Sequence, residues 1–196
     1  NDLIISSNNY FTAIIGESPS KGARSPLLWN HAFNKNCIDC KMLPLDVKPN
    51  NLSELINKLN QNNFFLGGAV TIPYKEKIAD ILKFNMTNNA IKIGAVNCLF
   101  RKENNKIFGT NTDGEASLSA FNQTFGKIDS EKILILGPGG AGKAVASYFS
   151  SSLSDPKYLY IAGRSNEAKM FCSSINSKWL NWNEINNNIH KFKIII

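Results

Sequence analysis

The hexapeptide Gly137-Pro-Gly-Gly-Ala-Gly142 constrains this chain more than any other stretch of it. It follows an apolar run, Lys132-Ile-Leu-Ile-Leu136, and precedes Lys143-Ala-Val-Ala-Ser-Tyr-Phe149, whose apolar residues recur at helical spacing. A G-x-G-x-x-G run between a strand and a helix is a phosphate-accepting turn, because the first amides of the helix and its dipole face an anion there. Gly137 allows the tight turn, Gly139 lets the main chain approach a pyrophosphate, Gly140 continues the loop, and Gly142 permits close helix packing. From residue 130 onward the periodicity predicts a strand over 132–136, a helix over 143–149, a strand over 158–162, a helix over 166–175 and a last strand starting at Lys193. A βαβαβ series of this kind specifies a parallel sheet with helices on its faces.

The strand after the glycine turn ends in Gly163-Arg164-Ser165 rather than in Asp or Glu. A carboxylate there would bond a ribose 2′-hydroxyl, whereas a guanidinium and a hydroxyl suit a 2′-phosphate, so the pattern favours NADP over NAD. The chain stops at Ile194-Ile-Ile196, inside what reads as a buried strand, so this nucleotide domain is expected to be incomplete and further sequence is expected beyond Ile196.

With 196 residues, 43% of them hydrophobic and 12 of them Phe, the chain has material for a real core, in one large or two small units. The first half predicts strands at 11–15, 41–47 and 64–72, helices at 26–33 and at 51–59 with Asn51 as cap, and a helix opened by Pro73. Residues 94–100 and 106–110 flank Asn104-Asn105 as a hairpin, with Asn97 inside its first strand. The fold class expected is therefore α/β: an N-terminal α/β domain over 1–113, then a connecting helix over 114–125 and a partial Rossmann-type domain over 114–196. The 27 asparagines cluster at 62–63, 88–89, 104–105 and 186–188, where turns or exposed loops are expected.

The formal charge is +7, but the 22 basic residues never form a run of three and only Arg24, Arg101 and Arg164 are arginines, which argues against a nucleic-acid partner. No apolar stretch approaches the roughly 20 residues that span a bilayer. The start of the chain lacks a basic segment followed by an apolar one, so cytoplasmic residence is the expectation. Of the four cysteines, Cys37 and Cys40 have half the spacing of a zinc site, but Cys98 and Cys172 supply no second pair, so free thiols and no metal are expected.

Lys75, Asn97 and Asp113 are polar residues that local propensity does not require. Each has a plain structural reading, Lys75 and Asp113 as first-turn helix residues and Asn97 as a buried hydrogen-bonding group. Taken singly, the structural reading of each outweighs a catalytic one.

Taken together, the motifs resemble the shikimate dehydrogenase family along the chain. Ser25-Pro-Leu-Leu-Trp-Asn-His-Ala-Phe33 is similar to the family's S-P-x-x-H-N-x-A-F, Val70-Thr-Ile-Pro-Tyr-Lys75 to V-T-x-P-x-K, Ile93-Gly-Ala-Val-Asn97 to I-G-A-V-N, and Gly109-Thr-Asn-Thr-Asp-Gly114 to G-x-N-T-D-G. Gly137 to Ala144 resembles the cofactor loop, and Gly163-Arg-Ser165 the N-R-T that holds the 2′-phosphate. The resemblance implies an NADP-dependent reduction of 3-dehydroshikimate to shikimate, in a cleft between two domains. It implies Lys75 as acid/base residue, Asp113 as its acidic partner, and Ser25, Thr71 and Asn97 as substrate-binding groups. It implies Gly137, Gly139, Gly140, Gly142, Arg164 and Ser165 as cofactor-binding residues, and a monomer or homodimer with a small cyclic acid as substrate.

The chain departs from the family pattern at Ala23, where one hydroxyl donor for the substrate carboxylate is lost, and at Trp29, which stands where the family has His. Arg24 or Lys21 is expected to replace the donor, or the preferred acid differs, quinate being one alternative and a non-catalytic ligand-binding domain another. Ala69 replaces a family Asn, and the basic residue after the N-R-T position falls one place late, at Lys169.

Overall fold

The computed structural model describes residues 9–102 and 105–196, which divide into two compact units, one ending at Asn111 and the other beginning at Thr112. The first unit starts with β1 (Phe11–Gly16), whose apolar run is almost wholly buried. Then come α1 (Ser25–Lys35), β2 (Lys41–Asp46), α2 (Leu52–Gln61), β3 (Phe65–Val70), α3 (Lys75–Leu82), α4 (Asn88–Ile93), β4 (Cys98–Arg101) and β5 (Ile107–Thr110). Its sheet has the order β2-β1-β3-β4-β5. β1 pairs in parallel with β2 and β3, while β4 runs antiparallel to β3 and to β5.

The stripe read in α2 is the one the fold uses: Leu52, Leu55, Ile56 and Leu59 are its buried residues. They join Phe11, Ile15, Phe65, Tyr74 and Ile78 in one core. At the far end of α2, Arg101 donates from its guanidinium to the carbonyls of Leu59 at 2.8 Å, Asn62 at 2.7 Å and Phe65 at 2.5 Å, and also to that of Asn105. A cation on the last carbonyls of a helix satisfies acceptors that the helix leaves unpaired.

Local expectations differ from the structure at several places. Asn51 does not cap α2 with its side chain; it ends a 3-10 turn, Pro49–Asn51, that runs straight into the helix. Pro73 is not the first residue of a helix, for the Ile72–Pro73 bond is cis and α3 begins at Lys75. Asn88 and Asn89 lie in α4 rather than in a loop, capped by Thr87 Oγ1, with Ala90 and Ile93 buried. Residues 94–97 are not strand: Gly94 ends α4 in the left-handed region, and Asn97 precedes β4. The β4–β5 hairpin is present, while Asn104 of its predicted turn lies outside the described residues.

The second unit comprises α5 (Asp113–Phe125), β6 (Ile133–Leu136), α6 (Gly140–Ser152), β7 (Leu159–Gly163), α7 (Asn166–Ser174), β8 (Lys178–Asn181), α8 (Ile185–Asn188) and β9 (Ile194–Ile195). Its strands are all parallel, in the order β8-β7-β6-β9. The expected parallel sheet with helices is therefore present, with one strand, β8, that the sequence reading passed over. Asn186 to Asn188 lie in the short α8 instead of a loop. Gly114 brings α5 onto α6: a Cβ there would lie 2.2 Å from the Ala144 carbonyl oxygen, closer than any side chain permits.

Candidate functional site

In the first unit the parallel strands all deliver their carboxyl ends to one edge of the sheet, and loops leaving that edge carry most of the predicted polar residues. Thr71 follows β3, and its amide donates to the Ile15 carbonyl at 2.9 Å. Its methyl lies over Gly16, where a Cβ would come within 2.5 Å of Thr71 Cγ2. The turn that follows is closed by the Tyr74 amide on the Thr71 carbonyl at 3.0 Å. It is anchored by the fully buried Tyr74, whose hydroxyl donates to the Val47 carbonyl at 2.6 Å. Burial holds that phenol above its ordinary pKa, so it stays a donor.

This anchoring sets Lys75 as the first residue of α3, where it is half-buried. Its carbonyl accepts from the Val96 amide at 2.8 Å, and the next residue, Asn97, is bound on both sides. The Asn97 carbonyl accepts from Val70 at 2.8 Å and its amide donates to Thr110 at 3.1 Å. Thr71, Lys75 and Asn97 are thus brought to one edge by main-chain bonds that join β1, β3, α3, the turn before β4, and β5. Asn111, which the sequence reading did not single out, is 2% exposed and donates from Nδ2 to the Ala95 carbonyl at 3.0 Å, pinning the same segment.

The β1–α1 loop leaves from this edge too. Ser20 donates to Asp46, at the end of β2, from its amide at 2.8 Å and from its hydroxyl. Those donors hold the Asp46 carboxyl below its ordinary pKa. Ser25 is half-buried as the first residue of α1, and Arg24, just before it, is exposed. Lys21 borders a recess of about 500 Å³ with Glu17, Ser18, Asp46 and Lys48. Trp29 lies on the exposed side of α1, its ring centroid 5.8 Å from that of Phe33.

Asp113 is the first residue of α5 and so belongs to the second unit, whereas Lys75 belongs to the first. In the second unit the glycine turn leaves β6 with Gly137 at φ +97°, a conformation that favours glycine. The Gly137 amide donates to the Ala162 carbonyl at 3.1 Å, and a Cβ on Gly142 would lie 2.0 Å from the Gly137 oxygen. At Gly139 a Cβ would meet no protein atom within 4 Å. The turn is therefore packed on its inner side and open at Gly139, which leads into α6 at Gly140. An anion of phosphate size fits against such an open turn, facing the first amides of the helix.

On the neighbouring strand, Arg164 follows β7, exposed, with its guanidinium carbon 5.0 Å from the centroid of the Trp182 ring. Ser165 caps α7, its Oγ accepting from the Ala168 amide at 3.3 Å. Lys169 points instead toward Trp179, 5.8 Å from its ring centroid. Among the described residues no cluster of three or more His, Cys, Asp and Glu could hold a metal ion, and no helix is long and apolar enough to cross a membrane.

The family pattern described as shikimate dehydrogenase substrate binding domain matches residues 14–99. The chain is 37% identical over 142 residues to shikimate dehydrogenase (NADP(+)) of Carboxydothermus hydrogenoformans, covering 72% of this chain and 49% of that protein. It is 33% identical over 199 residues to the enzyme of that name from Methanococcus maripaludis, covering 98% of this chain and 69% of that one. A crystal structure of a shikimate dehydrogenase in complex with NADP+ superposes with a TM-score of 0.81 at 26% identity, covering all of this chain and 69% of that one. The chain thus spans between about half and about two thirds of the length of these relatives.

Proposed function

This chain belongs to the shikimate dehydrogenase family, and from that premise we propose that its chemistry is the NADP-dependent interconversion of 3-dehydroshikimate and shikimate. The observation that carries the reading is the meeting of Thr71, Lys75 and Asn97 at the carboxyl edge of one sheet, joined through Val96 and Val70. Three polar residues of the family's motifs, far apart in sequence, share an edge where an open α/β sheet offers ligands its loops.

NADPH, when bound, supplies the hydride that reduces the ring ketone. The remaining work falls to side chains of this protein. Lys75 gives a proton to the carbonyl oxygen as negative charge develops on it, and an ammonium within hydrogen-bond reach stabilises that charge. Run the other way, Lys75 takes the proton from the hydroxyl. Asp113 is the acidic residue of this reading by its place in Gly109-Thr-Asn-Thr-Asp-Gly114, the segment that resembles the family's G-x-N-T-D-G. Ser25, Thr71 and Asn97 bind the hydroxyls and carboxylate of the ring, and Arg24, exposed at the start of α1, pairs with the carboxylate in place of the hydroxyl missing at Ala23.

The open turn at Gly137, Gly139, Gly140 and Gly142 fits a pyrophosphate, and Arg164 with Ser165 fits a 2′-phosphate. Ala23 and Trp29 support a second reading, in which the preferred acid is a relative of shikimate such as quinate. The test is NADP+ reduction followed spectrophotometrically, with shikimate and quinate side by side. Turnover with shikimate is expected, and Lys75→Ala is expected to lower it by about 10²- to 10⁴-fold, the usual contribution of a general acid/base group. Undiminished turnover in that variant removes Lys75 from its role, faster turnover with quinate installs the second reading, and turnover with neither overturns both.

A further inference from the structure

We propose that Trp182 is a specificity-determining residue for the phosphorylated dinucleotide, its indole face holding the Arg164 guanidinium where a ribose 2′-phosphate is read. The inference rests on the assignment of Arg164 to that phosphate. Gly163 and Asn181 are register partners at the ends of β7 and β8. The next residues, Arg164 and Trp182, therefore leave adjacent strands side by side at the carboxyl edge of the second unit's sheet. The 5.0 Å from guanidinium carbon to ring centroid lies inside the roughly 6 Å reach of a cation–π contact.

The two partners differ in how firmly they are held. Trp182 packs against the cluster of Leu134, Ala162 and Leu180, beside Ile185 and Phe192. Arg164 is exposed. A free arginine samples many rotamers, and an anion that binds it must order them; one already laid on a fixed ring has less freedom left to lose. The ring takes the face of the guanidinium and leaves its edge N–H groups to donate, so stacking and phosphate binding are compatible.

The neighbourhood gives this arginine weight. Ser165 Oγ already accepts the Ala168 amide, which leaves the hydroxyl hydrogen as a donor. Glu167 sits in the first turn of α7 and offsets the positive end of that helix, while Lys169 of the same helix lies toward Trp179, so Arg164 is the cation next to the Ser165 hydroxyl. A ligand without the 2′-phosphate gains nothing from Arg164. Trp182 therefore acts on discrimination and not on general affinity.

Calorimetric titration of the chain with 2′,5′-adenosine bisphosphate and with 5′-AMP tests this, since the two differ only by the 2′-phosphate. The unaltered protein is expected to bind the bisphosphate at least about tenfold more tightly, and Arg164→Leu to abolish that ratio, as loss of a charge-assisted contact requires. Trp182→Leu should reduce the ratio by about two- to fivefold, the scale of an exposed cation–π contact, with 5′-AMP affinity unchanged. Trp182→Phe should keep most of it. Should Trp182→Leu fail to fold, Trp182→Met, which fills the apolar cluster without a π face, replaces it. An unchanged ratio in the Leu or Met variant, equal losses for both ligands, or a Phe variant as poor as Leu each overturn the role of Trp182 and leave that of Arg164 standing. A wild-type protein with no preference, or one whose preference survives Arg164→Leu, overturns the NADP assignment and the inference with it.

Discussion

In the first unit the carboxyl edge of the sheet carries the polar residues Thr71, Lys75 and Asn97, each fixed because its main chain is bonded to a neighbouring segment: Thr71 to β1, Lys75 to the turn before β4, and Asn97 to β3 and β5. In the second unit the same edge presents main chain, the turn from Gly137 into α6, with Arg164 and Ser165 beside it. Side-chain sites depend on a core that aims them: Tyr74, with no exposure at all, ties the turn before Lys75 to Val47. Main-chain sites depend on close approach, as at Gly142, where the absence of a Cβ is the structural requirement. Glycine can thus serve the fold, by letting chains touch, or a ligand, by leaving room.

The sharpest way to break that distinction is to fill two glycines of opposite kind. Gly68 lies in β3 at φ +152°, and a Cβ there would fall 1.9 Å from the Ala13 carbonyl oxygen. Gly68→Val is expected to cost about 4 kcal/mol or more, since backbone strain and overpacking of β1 add at one position. Gly139→Ala should stay within about 1 kcal/mol of the unaltered protein, yet weaken dinucleotide binding. Denaturant unfolding and calorimetric titration of both variants settle the contrast, and equal stability losses would erase it.

A middle-sized effect is expected at Arg101, whose half-buried guanidinium binds carbonyls at the end of α2 and the start of β3. Burial lowers its pKa from the ordinary value, but it remains a cation. Arg101→Met should destabilise the first unit by about 2–3 kcal/mol, the cost of leaving several carbonyls without a charged donor. If unfolding of the second unit shifted as much, the two units would not be energetically separate.

The smallest effect concerns Asp46 and Ser20. Their hydrogen bonds depress the carboxyl in the folded chain below its ordinary value of 3.8. That contribution is complete above the ordinary value and is lost as pH falls through the depressed one. Asp46 is exposed, so the expected change is modest: Asp46→Asn should shift Tm by less than about 2 °C near neutral pH and flatten its decline in acid. Thermal melts between pH 2 and pH 7 would show the sign.

Much of the fold is legible where a pattern is long or repeated. The four-residue stripe of α2 and the strand–turn–helix around Gly137 need no tertiary information. The failures are short elements. α4 has six residues beginning with two asparagines, poor helix formers, and it exists because burying Ala90 and Ile93 outweighs their preference. Thr87 and Gly94, the cap and the left-handed terminus, were the available signals. β8 has only Leu180 buried, too little periodicity to read. Asn97 reads as a strand residue because Val96 and Leu99 are apolar, but only Leu99 lies in β4; Val96 is buried in the turn before it, where the Asn97 amide bonds the Thr110 carbonyl at the end of β5.

The candidate site divides along the same line. Residue order alone supplies the phosphate turn, the arginine after β7 and the identity of each polar group, because glycine spacing and side-chain chemistry are local properties. Which of those groups share an edge is a property of the packed sheet: Thr71, Lys75 and Asn97 meet through main-chain hydrogen bonds between segments distant in sequence, which local spacing cannot encode. The pairing of Arg164 with Trp182 is of the second kind, since the register of β7 against β8, set by burial of Ile161, Ala162 and Leu180, puts two residues eighteen apart in contact.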